Sequence, residues 1–584
     1  MQRKDGMGEV IVMVKREWPL YVFFLFSGIF LYAAAVLAKN VSMIYLWLLV
    51  PSVACGLLGY LCYRRHHRYK QLRKLRQAWG KEQTAKERQF EKIAFLFKSM
   101  PHAQTDIDDR TWYDLNMDTV FSKIDRTFAW PGQMRLYQIL RTPVISDLAM
   151  LEQRKGFIKT FQESREQREA IQLELSIMDG RTGSGLATLL WDRPAITPIH
   201  SLNLYRFMYG LALVSPLLII LGSRYFFLVL LVFQANMYLH FSAQKEIKSY
   251  FEGVRSLGQL IRVGKGLGVV QSPELEPLLR RVRAAVRQVQ GYSKIVRHVG
   301  VESNDPLMGV FLQYFSIFFL AEVRGFFRAL AFIEKNRAQL QQLFLVIGEL
   351  DALQAVASYR TSLSYYAEPT FTQQRQFEIT EAYHALLQDP VSNSILVTDE
   401  EGILVTGSNM SGKSTFLRTV GLNALFAQTI VTCLAREYVG CPVQLITNIG
   451  RADNVVEGKS YYLDEALGVR RVLDALNGEI VTMAIFDELF RGTNSEERIF
   501  AAWRVLQYLV SRNSLVFVAT HDLELTELLA RSYTSVHFSE RVGDLGLEFD
   551  YKLKKGPATT KNAVALLRYL EYPKEITDPE LESN

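Results

Sequence analysis

Lys413 sits between a glycine and a hydroxyl side chain in the run Gly407-Ser408-Asn409-Met410-Ser411-Gly412-Lys413-Ser414-Thr415. Those residue types at that spacing make a cradle for a triphosphate. Glycines at 407 and 412 let the backbone curl so that successive N–H groups face phosphate oxygens. Lys413 then reaches the β- and γ-phosphates, and Ser414 presents its hydroxyl to Mg²⁺. Farther along, Asp487 and Glu488 form an adjacent acidic pair. Asp487 is the candidate support for Mg²⁺, and Glu488 the candidate that orients or deprotonates an attacking water. His521 closes another apolar run and is the candidate that senses or positions that water. The chemistry these residues point to is hydrolysis of ATP with Mg²⁺ as the metal.

Each of these residues needs an element to hold it. Ile403–Thr406 reads as a short buried strand before the glycine loop, and Phe416–Ile430 as the helix after it. Val481–Phe486 and Leu515–Ala519 read as two more strands, ending at Asp487-Glu488 and at Thr520-His521. Strands of a parallel sheet bring such ends to one edge, where ligands bind. The expected fold is therefore an α/β P-loop ATPase domain. An acidic pair followed by a histidine after the next strand resembles ATP-binding-cassette and related ATPases rather than GTPases or kinases. Such sites are completed by a second ATPase domain; with one P-loop per chain, a homodimer is expected.

The rest of the chain differs in composition. At 584 residues it exceeds one hydrophobic core, and its apolar residues are unevenly spread. Pro19–Ala38 and Val41–Tyr63 carry no charge and each is long enough to cross a bilayer as a helix, with Lys39-Asn40 between them. A second apolar block, Phe207–Phe241, is interrupted at Gly222-Ser223-Arg224 and contains Pro216. It reads as a second membrane hairpin, with a re-entrant pair or a buried hairpin as alternatives. Arg64 to Lys81 holds eight basic residues and no acidic one, and Arg3, Lys4, Lys15 and Arg16 precede the first span. The positive-inside rule puts both ends of the first hairpin in the cytoplasm. A net charge of +7 suits nucleic acid and anionic lipid equally. The four cysteines lack metal-ligand spacing and read as ordinary buried thiols. Residues 246 to 365 have helical periodicity, and Phe311–Leu353 reads as one or more long helices.

On these residues the chain resembles the MutS family of DNA mismatch-repair ATPases. The resemblance runs through Thr406–Thr415, Arg451-Ala452-Asp453-Asn454, Gly458–Glu465, Asp487–Ser495 and Ala519-Thr520-His521 followed by Glu524–Leu528. It implies that Asn409 contacts phosphate, that Ser460 reaches the nucleotide of a partner subunit, and that Thr493 and its neighbours cross the ATPase dimer interface. Weaker likeness covers Asp118–Pro143, Glu349-Leu350-Asp351 and Tyr365–Pro369, as the start of a helical core and the end of its levers. Departures are equally definite. Ser408 and Ser411 stand where the family usually has proline and glycine, and Phe490 where it commonly has glycine. Membrane spans stand in place of the mismatch-reading domain with its Phe-x-Glu wedge, and after Lys561 the usual serine–glycine element is lacking.

The expected organisation is a membrane hairpin with a basic juxtamembrane segment over 1–80, a first helical core part over 81–206, and a second apolar hairpin over 207–241. A helical lever and core part follows over 242–370, and the P-loop ATPase domain over 371–584. The expected protein is a multi-pass cell-membrane ATPase with its ATPase domain and both termini cytoplasmic. Expected partners are a second copy, membrane lipid and duplex DNA, gripped through backbone contacts by residues such as Arg280, Arg281, Arg283 and Arg287. The alternative is a membrane mechanochemical or scaffold ATPase that does not bind DNA. Transport is disfavoured because the spans hold few polar groups.

Overall fold

The computed structural model describes residues 2–83, 86, 88–178, 184–192, 201–289, 291, 306–398, 401–408, 410–450, 461–476, 479–491, 494–543, 546–558 and 572–573. The chain divides into two compact units, Met1–Lys81 and Glu82–Asn584.

In the first unit, helix α1 (Gln2–Asn40) and helix α2 (Leu49–Ala78) are joined by a 3-10 turn, Met43–Leu48, whose cap Ser42 accepts from the Ile44 N–H. The break falls beside Lys39-Asn40, where the apolar pattern stops. Only 6% of the apolar window in α1 and 11% of that from Met43 to Ala78 is buried. Side chains such as Tyr32 and Trp47 are therefore left without protein cover. So large a bare apolar surface needs lipid, and these two helices support membrane association. Their polar groups are satisfied between themselves: the Ser27 hydroxyl donates to the Ser52 carbonyl at 2.9 Å, and the Ser52 hydroxyl to the Ser27 carbonyl at 2.8 Å. Cys433 and Cys441 in the second unit are buried thiols as expected, whereas Cys55 and Cys62 on α2 are only half-buried.

The second unit begins with a long helical core. Helices α3 (Trp130–Arg141) and α4 (Leu148–Glu163) precede α5 (Leu202–Leu218) and the 44-residue α6 (Phe226–Val269). After α7 (Glu276–Gln288) come α8 (Pro306–Phe318), α9 (Ala321–Lys335) and α10 (Arg337–Ser362). The stretch Phe311–Leu353 is thus three helices, broken at Leu320, whose φ is 49°, and at Asn336. The second apolar block does not end with its composition at Phe241, because α6 continues unbroken into the core. Its membrane-length windows, Leu202–Leu221 and Ser223–Lys245, are 22% and 28% buried. Helix α10 is also long and apolar, but its window is 78% buried, which makes it a core helix.

Close packing of α3 on α10 depends on two glycines. A Cβ on Gly132 would stand 2.1 Å from an Asp351 carboxylate oxygen, and one on Gly348 would stand 2.4 Å from the Pro131 carbonyl. Asp351, fully buried on α10, accepts from the Phe128 and Ala129 N–H groups at 3.0 Å and so satisfies donors ahead of the first turn of α3. Burial pushes its carboxyl up to about 7 although these donors pull the other way.

Twelve strands follow among the described residues. Strands β1 (Thr370–Phe371), β2 (Phe377–Ala382), β3 (Asn393–Val397) and β5 (Glu437–Gly440) form a small sheet in the order β1-β5-β2-β3. The main sheet takes β4 (Gly402–Thr406), β6 (Val443–Ile449), β7 (Val481–Asp487), β8 (Ser514–Ala519), β9 (Tyr533–His537) and β12 (Lys554–Lys555). Its order is β12-β9-β4-β8-β7-β6, parallel except for β12, while β10 (Glu540–Gly543) and β11 (Gly546–Phe549) form a separate hairpin. Ile403, Leu404 and Val405 are fully buried, as befits a central strand covered on both faces. Helices α11 (Lys413–Thr429), α12 (Tyr461–Ala475) and α13 (Ser495–Val510) connect the strands. Val469 and Val472 of α12 and Ala502, Leu506 and Leu509 of α13 share one core with β4, β7 and β8.

The helical core is bonded to this sheet. Arg360, 1% exposed at the end of α10, donates to the Thr432 hydroxyl at 2.7 Å and the Val431 carbonyl and pairs with Glu368 at 3.0 Å. Asp114 accepts from the Thr447 hydroxyl at 2.8 Å and the Ile449 N–H at 2.9 Å.

Candidate functional site

Parallel pairing sets the carboxyl ends of β4, β8 and β7 side by side, with Val405 opposite Ala519 and Ala519 opposite Asp487. Two backbone bonds carry this register past the strands: Thr520 N–H to the Val405 carbonyl at 3.0 Å, and Glu488 N–H to the Ala519 carbonyl at 2.9 Å. Gly407, Glu488 and His521 consequently leave the same edge of the sheet, although the sequence separates them widely.

The loop after β4 is tightly curled. Gly407 has φ 139° and Gly412 φ 109°, a region that side chains resist, and a Cβ on Gly407 would meet the Phe538 carbonyl at 2.8 Å. Met410, with φ 67°, is exposed at the loop tip. Ser408 and Ser411, the two departures from the family pattern, engage each other: the buried Ser411 hydroxyl donates to the Ser408 carbonyl at 2.8 Å. Lys413, 5% exposed, folds back and donates to the Gly407 and Ser408 carbonyls at 2.8 and 2.7 Å. Burial lowers its pKa, and the charges of Asp487 and Glu488 only partly restore it. Thr415 follows on the first turn of α11 and lines the same cavity as Lys413.

The acidic pair splits into two environments. Asp487, the last residue of β7, accepts the Ser414 hydroxyl at 2.5 Å. Glu488, at φ 61°, meets His521 Nε2 at 2.8 Å through one oxygen and Arg491 Nε at 2.6 Å through the other. Burial pushes the Glu488 carboxyl up, but the hydrogen bond with His521 and the charges of Arg491, His521 and Lys413 outweigh it and hold the group below its ordinary range.

These side chains share one cavity of about 720 Å³, bounded by Lys413, Ser414, Asp487, Glu488, Arg491 and His521 at one part of its lining. Phe416, Phe538, Tyr551, Leu387 and His384 supply apolar and aromatic surface elsewhere in it. The volume lies within the roughly 300–1,000 Å³ of small-molecule sites. A hydroxyl and a carboxylate oxygen already in contact, Ser414 and Asp487, are the donor types Mg²⁺ accepts beside phosphate oxygens. Asn409 and Ser460 lie outside the described residues, as do Arg451–Asn454 and Thr493.

Sequence reasoning missed four contributors. Arg491 carried no assigned role although it stood in a quoted motif, and its spacing from Glu488 on one turn was the available signal. Tyr551 and Phe538 reach the cavity from beyond β9, which no local pattern reveals. Arg498 makes a bidentate pair with Asp522 at 2.6 and 3.0 Å, tying α13 to the segment that carries His521.

Comparison with known proteins matches this part of the chain. Residues 403–582 fit the family model of MutS domain V. A protein of Streptococcus equi subsp. equi (strain 4047) named DNA mismatch repair protein MutS is 30% identical over 263 residues, 43% of this chain and 30% of the relative. One of the same name from Staphylococcus aureus (strain JH9) is 30% identical over 256 residues, 42% of this chain and 29% of the relative. The match thus spans under a third of the length of these curated relatives. Through this C-terminal region the chain is a distant, partial homologue of MutS-family proteins, carrying a MutS domain V.

Proposed function

We propose that the chain is a membrane-tethered MutS-like ATPase that binds ATP with Mg²⁺ at residues 407–415 and hydrolyses it with Glu488 and His521. The observation that carries this reading is the convergence of Lys413, Ser414, Asp487, Glu488 and His521 on one cavity. With nucleotide present, the Lys413 ammonium exchanges its two carbonyl partners for phosphate oxygens, a stronger charge-assisted contact. Ser414 and Asp487 would hold Mg²⁺, which would supply positive charge opposite the phosphate oxygens. Glu488 is ionised and positioned by His521, so it can orient a water for attack on the γ-phosphorus and accept its proton. The Tyr551 and Phe538 rings offer a flat apolar surface for the base.

ATP binding closes two such heads across a homodimer, and the helical core passes the movement on. Duplex DNA is the proposed load. Arg280 and Arg287 on α7 are exposed while Leu279, Val282 and Val286 on its other face are buried. Arg281 and Arg283 share that helix and pair with Glu349 and Glu276, and Arg280 also lies 3.9 Å from Glu276. A cationic helix face suits phosphate without reading bases. The continuity of α6 from the apolar block into the core favours a second reading, in which the membrane itself is the load and DNA is not bound. The ATPase domain and both termini lie in the cytoplasm by the charge distribution around the first hairpin.

Turnover of MgATP by the full chain in lipid nanodiscs, with duplex binding measured from low to moderate salt, tests both levels. The proposal expects turnover and a salt-sensitive DNA affinity. Turnover without DNA affinity at any salt transfers the assignment to the second reading. No turnover by folded protein refutes the ATPase.

A further inference from the structure

Helix α8 (Pro306–Phe318) falls outside the membrane-length segments, because its 13 residues rise only about 20 Å against about 30 Å of hydrocarbon. It nevertheless carries no charge, and its outer face shows Val310, Tyr314 and Phe315 at 52%, 57% and 46% exposure. Gln313 is the one amide exposed beside them among the described residues. The helix also packs on the second apolar block. Phe233 of α6 lies 6.3 Å from the Tyr314 ring and 6.2 Å from the Phe318 ring. Asn236, fully buried within the apolar part of α6, donates its amide to the Phe318 carbonyl at 2.6 Å, satisfying an acceptor that the end of α8 leaves free.

A polar layer marks where this apolar assembly stops. Just beyond the end of α8, Glu322 lies 3.7 Å from His240 and 3.4 Å from Gln244 of α6, and Arg324 stacks over the Tyr209 ring of α5 at 3.3 Å. Three chain segments thus turn from apolar to polar at one level. On the apolar side, Leu213 and Leu217 on α5 and Phe227 and Leu231 on α6 are exposed as well.

We infer that α8 is a third lipid-embedded helix of the second unit, entering the bilayer beside the α5–α6 hairpin without crossing it, with acyl chains covering Val310, Tyr314 and Phe315. The inference rests on the reading that Phe207–Phe241 is inserted in the membrane. Its physical basis is that a charge-free helix docked on an inserted helix, with its terminal carbonyl satisfied from inside that helix, meets the conditions for residence in lipid.

The test is collisional accessibility of spin labels on the full chain in liposomes, with Cys55 and Cys62 replaced by alanine. One labelling cysteine at a time is added by Val310→Cys or Tyr314→Cys on α8, Leu231→Cys as the hairpin reference and Tyr508→Cys as an aqueous reference, with the buried Cys433 and Cys441 left in place and the unsubstituted background as the labelling blank. Elution as the unlabelled protein and retained MgATP binding establish that each variant is folded, and two α8 positions guard against loss of one. Expected is oxygen collision exceeding that of a water-soluble nickel chelate several-fold at 310 and 314, as at 231. Nickel accessibility at 310 and 314 equal to that at 508, with 231 still protected, overturns the inference and leaves the hairpin standing. Nickel accessibility at 231 as well overturns the hairpin reading and this inference with it. Inaccessibility to both reagents with spin–spin broadening at 314 also overturns it, because a second copy would then cover the face.

Discussion

Glu488 is gripped from both sides, by His521 and by Arg491, and this fixes what single substitutions at the site should do. Lys413→Ala removes a charge-assisted donor and should weaken MgATP binding roughly 10–100-fold, measured by calorimetry. Glu488→Ala should leave binding intact and lower kcat roughly 100-fold or more; normal turnover would remove Glu488 from its role. Because Arg491 helps hold the Glu488 carboxyl below its ordinary range, Arg491→Gln should move the acid limb of the kcat/KM profile to higher pH. Phe490 makes a sharper point. It adopts φ 59° and is buried, with its ring 6.0 Å from that of Tyr462 on α12. Alanine there keeps the unfavourable backbone and loses the ring, whereas glycine loses the ring alone. Phe490→Ala should thus be less stable than Phe490→Gly by about 1 kcal/mol in urea unfolding. The sequence exposed the residues whose partners are fixed by local strand–loop–helix grammar. Phe490 was legible as a departure but not as a strained, ring-packed turn. Tyr551 was hidden, because it reaches the cavity only after the β10–β11 hairpin, far along the chain from the glycine loop.

At the scale of elements, the strands around the site were readable to within a residue or so, because short apolar runs ended in chemically distinctive pairs. Helix limits were less so. Charged residues return after Phe241, and composition therefore suggests an end, yet the helical period persists and α6 runs on to Val269. The crossing of α3 and α10 was not readable at all, since nothing local to Gly132 or Gly348 announces the other helix. That crossing has little room. Gly132→Ala should destabilise the protein by about 1–3 kcal/mol, because the new methyl meets the Asp351 carboxyl. Asp351 also gives the fold a pH signature. Its carboxyl is pushed up by burial from 3.8 to about 7, so across that window the native state keeps a proton that the unfolded chain has released. Its contribution is full at low pH and declines as pH rises towards about 7. Asp351→Asn should flatten that slope in denaturant midpoints taken from pH 4 upward.

At the scale of the molecule, a MutS domain V over residues 403–582 is combined in one chain with apolar helices that lie outside that matched range. The relatives share under a third of their length with this chain, so the nucleotide chemistry and the load are separable questions. Helices long and apolar enough to cross a bilayer were legible from charge-free runs of about twenty residues, whereas α8 was not, being too short to register by length. If the heads close on nucleotide, light scattering in detergent should show the dimer fraction rising with MgATP in the Glu488→Ala protein, where hydrolysis no longer reopens it, and not in Lys413→Ala. The central claim remains that the cavity beneath Lys413 holds a magnesium nucleotide. Titration of the full chain with a non-hydrolysable ATP analogue in nanodiscs, with and without Mg²⁺, tests it most directly. The account predicts saturable binding at one nucleotide per chain, strengthened by Mg²⁺ and weakened in Lys413→Ala. A folded wild-type sample that binds no analogue in the presence of Mg²⁺ would contradict it.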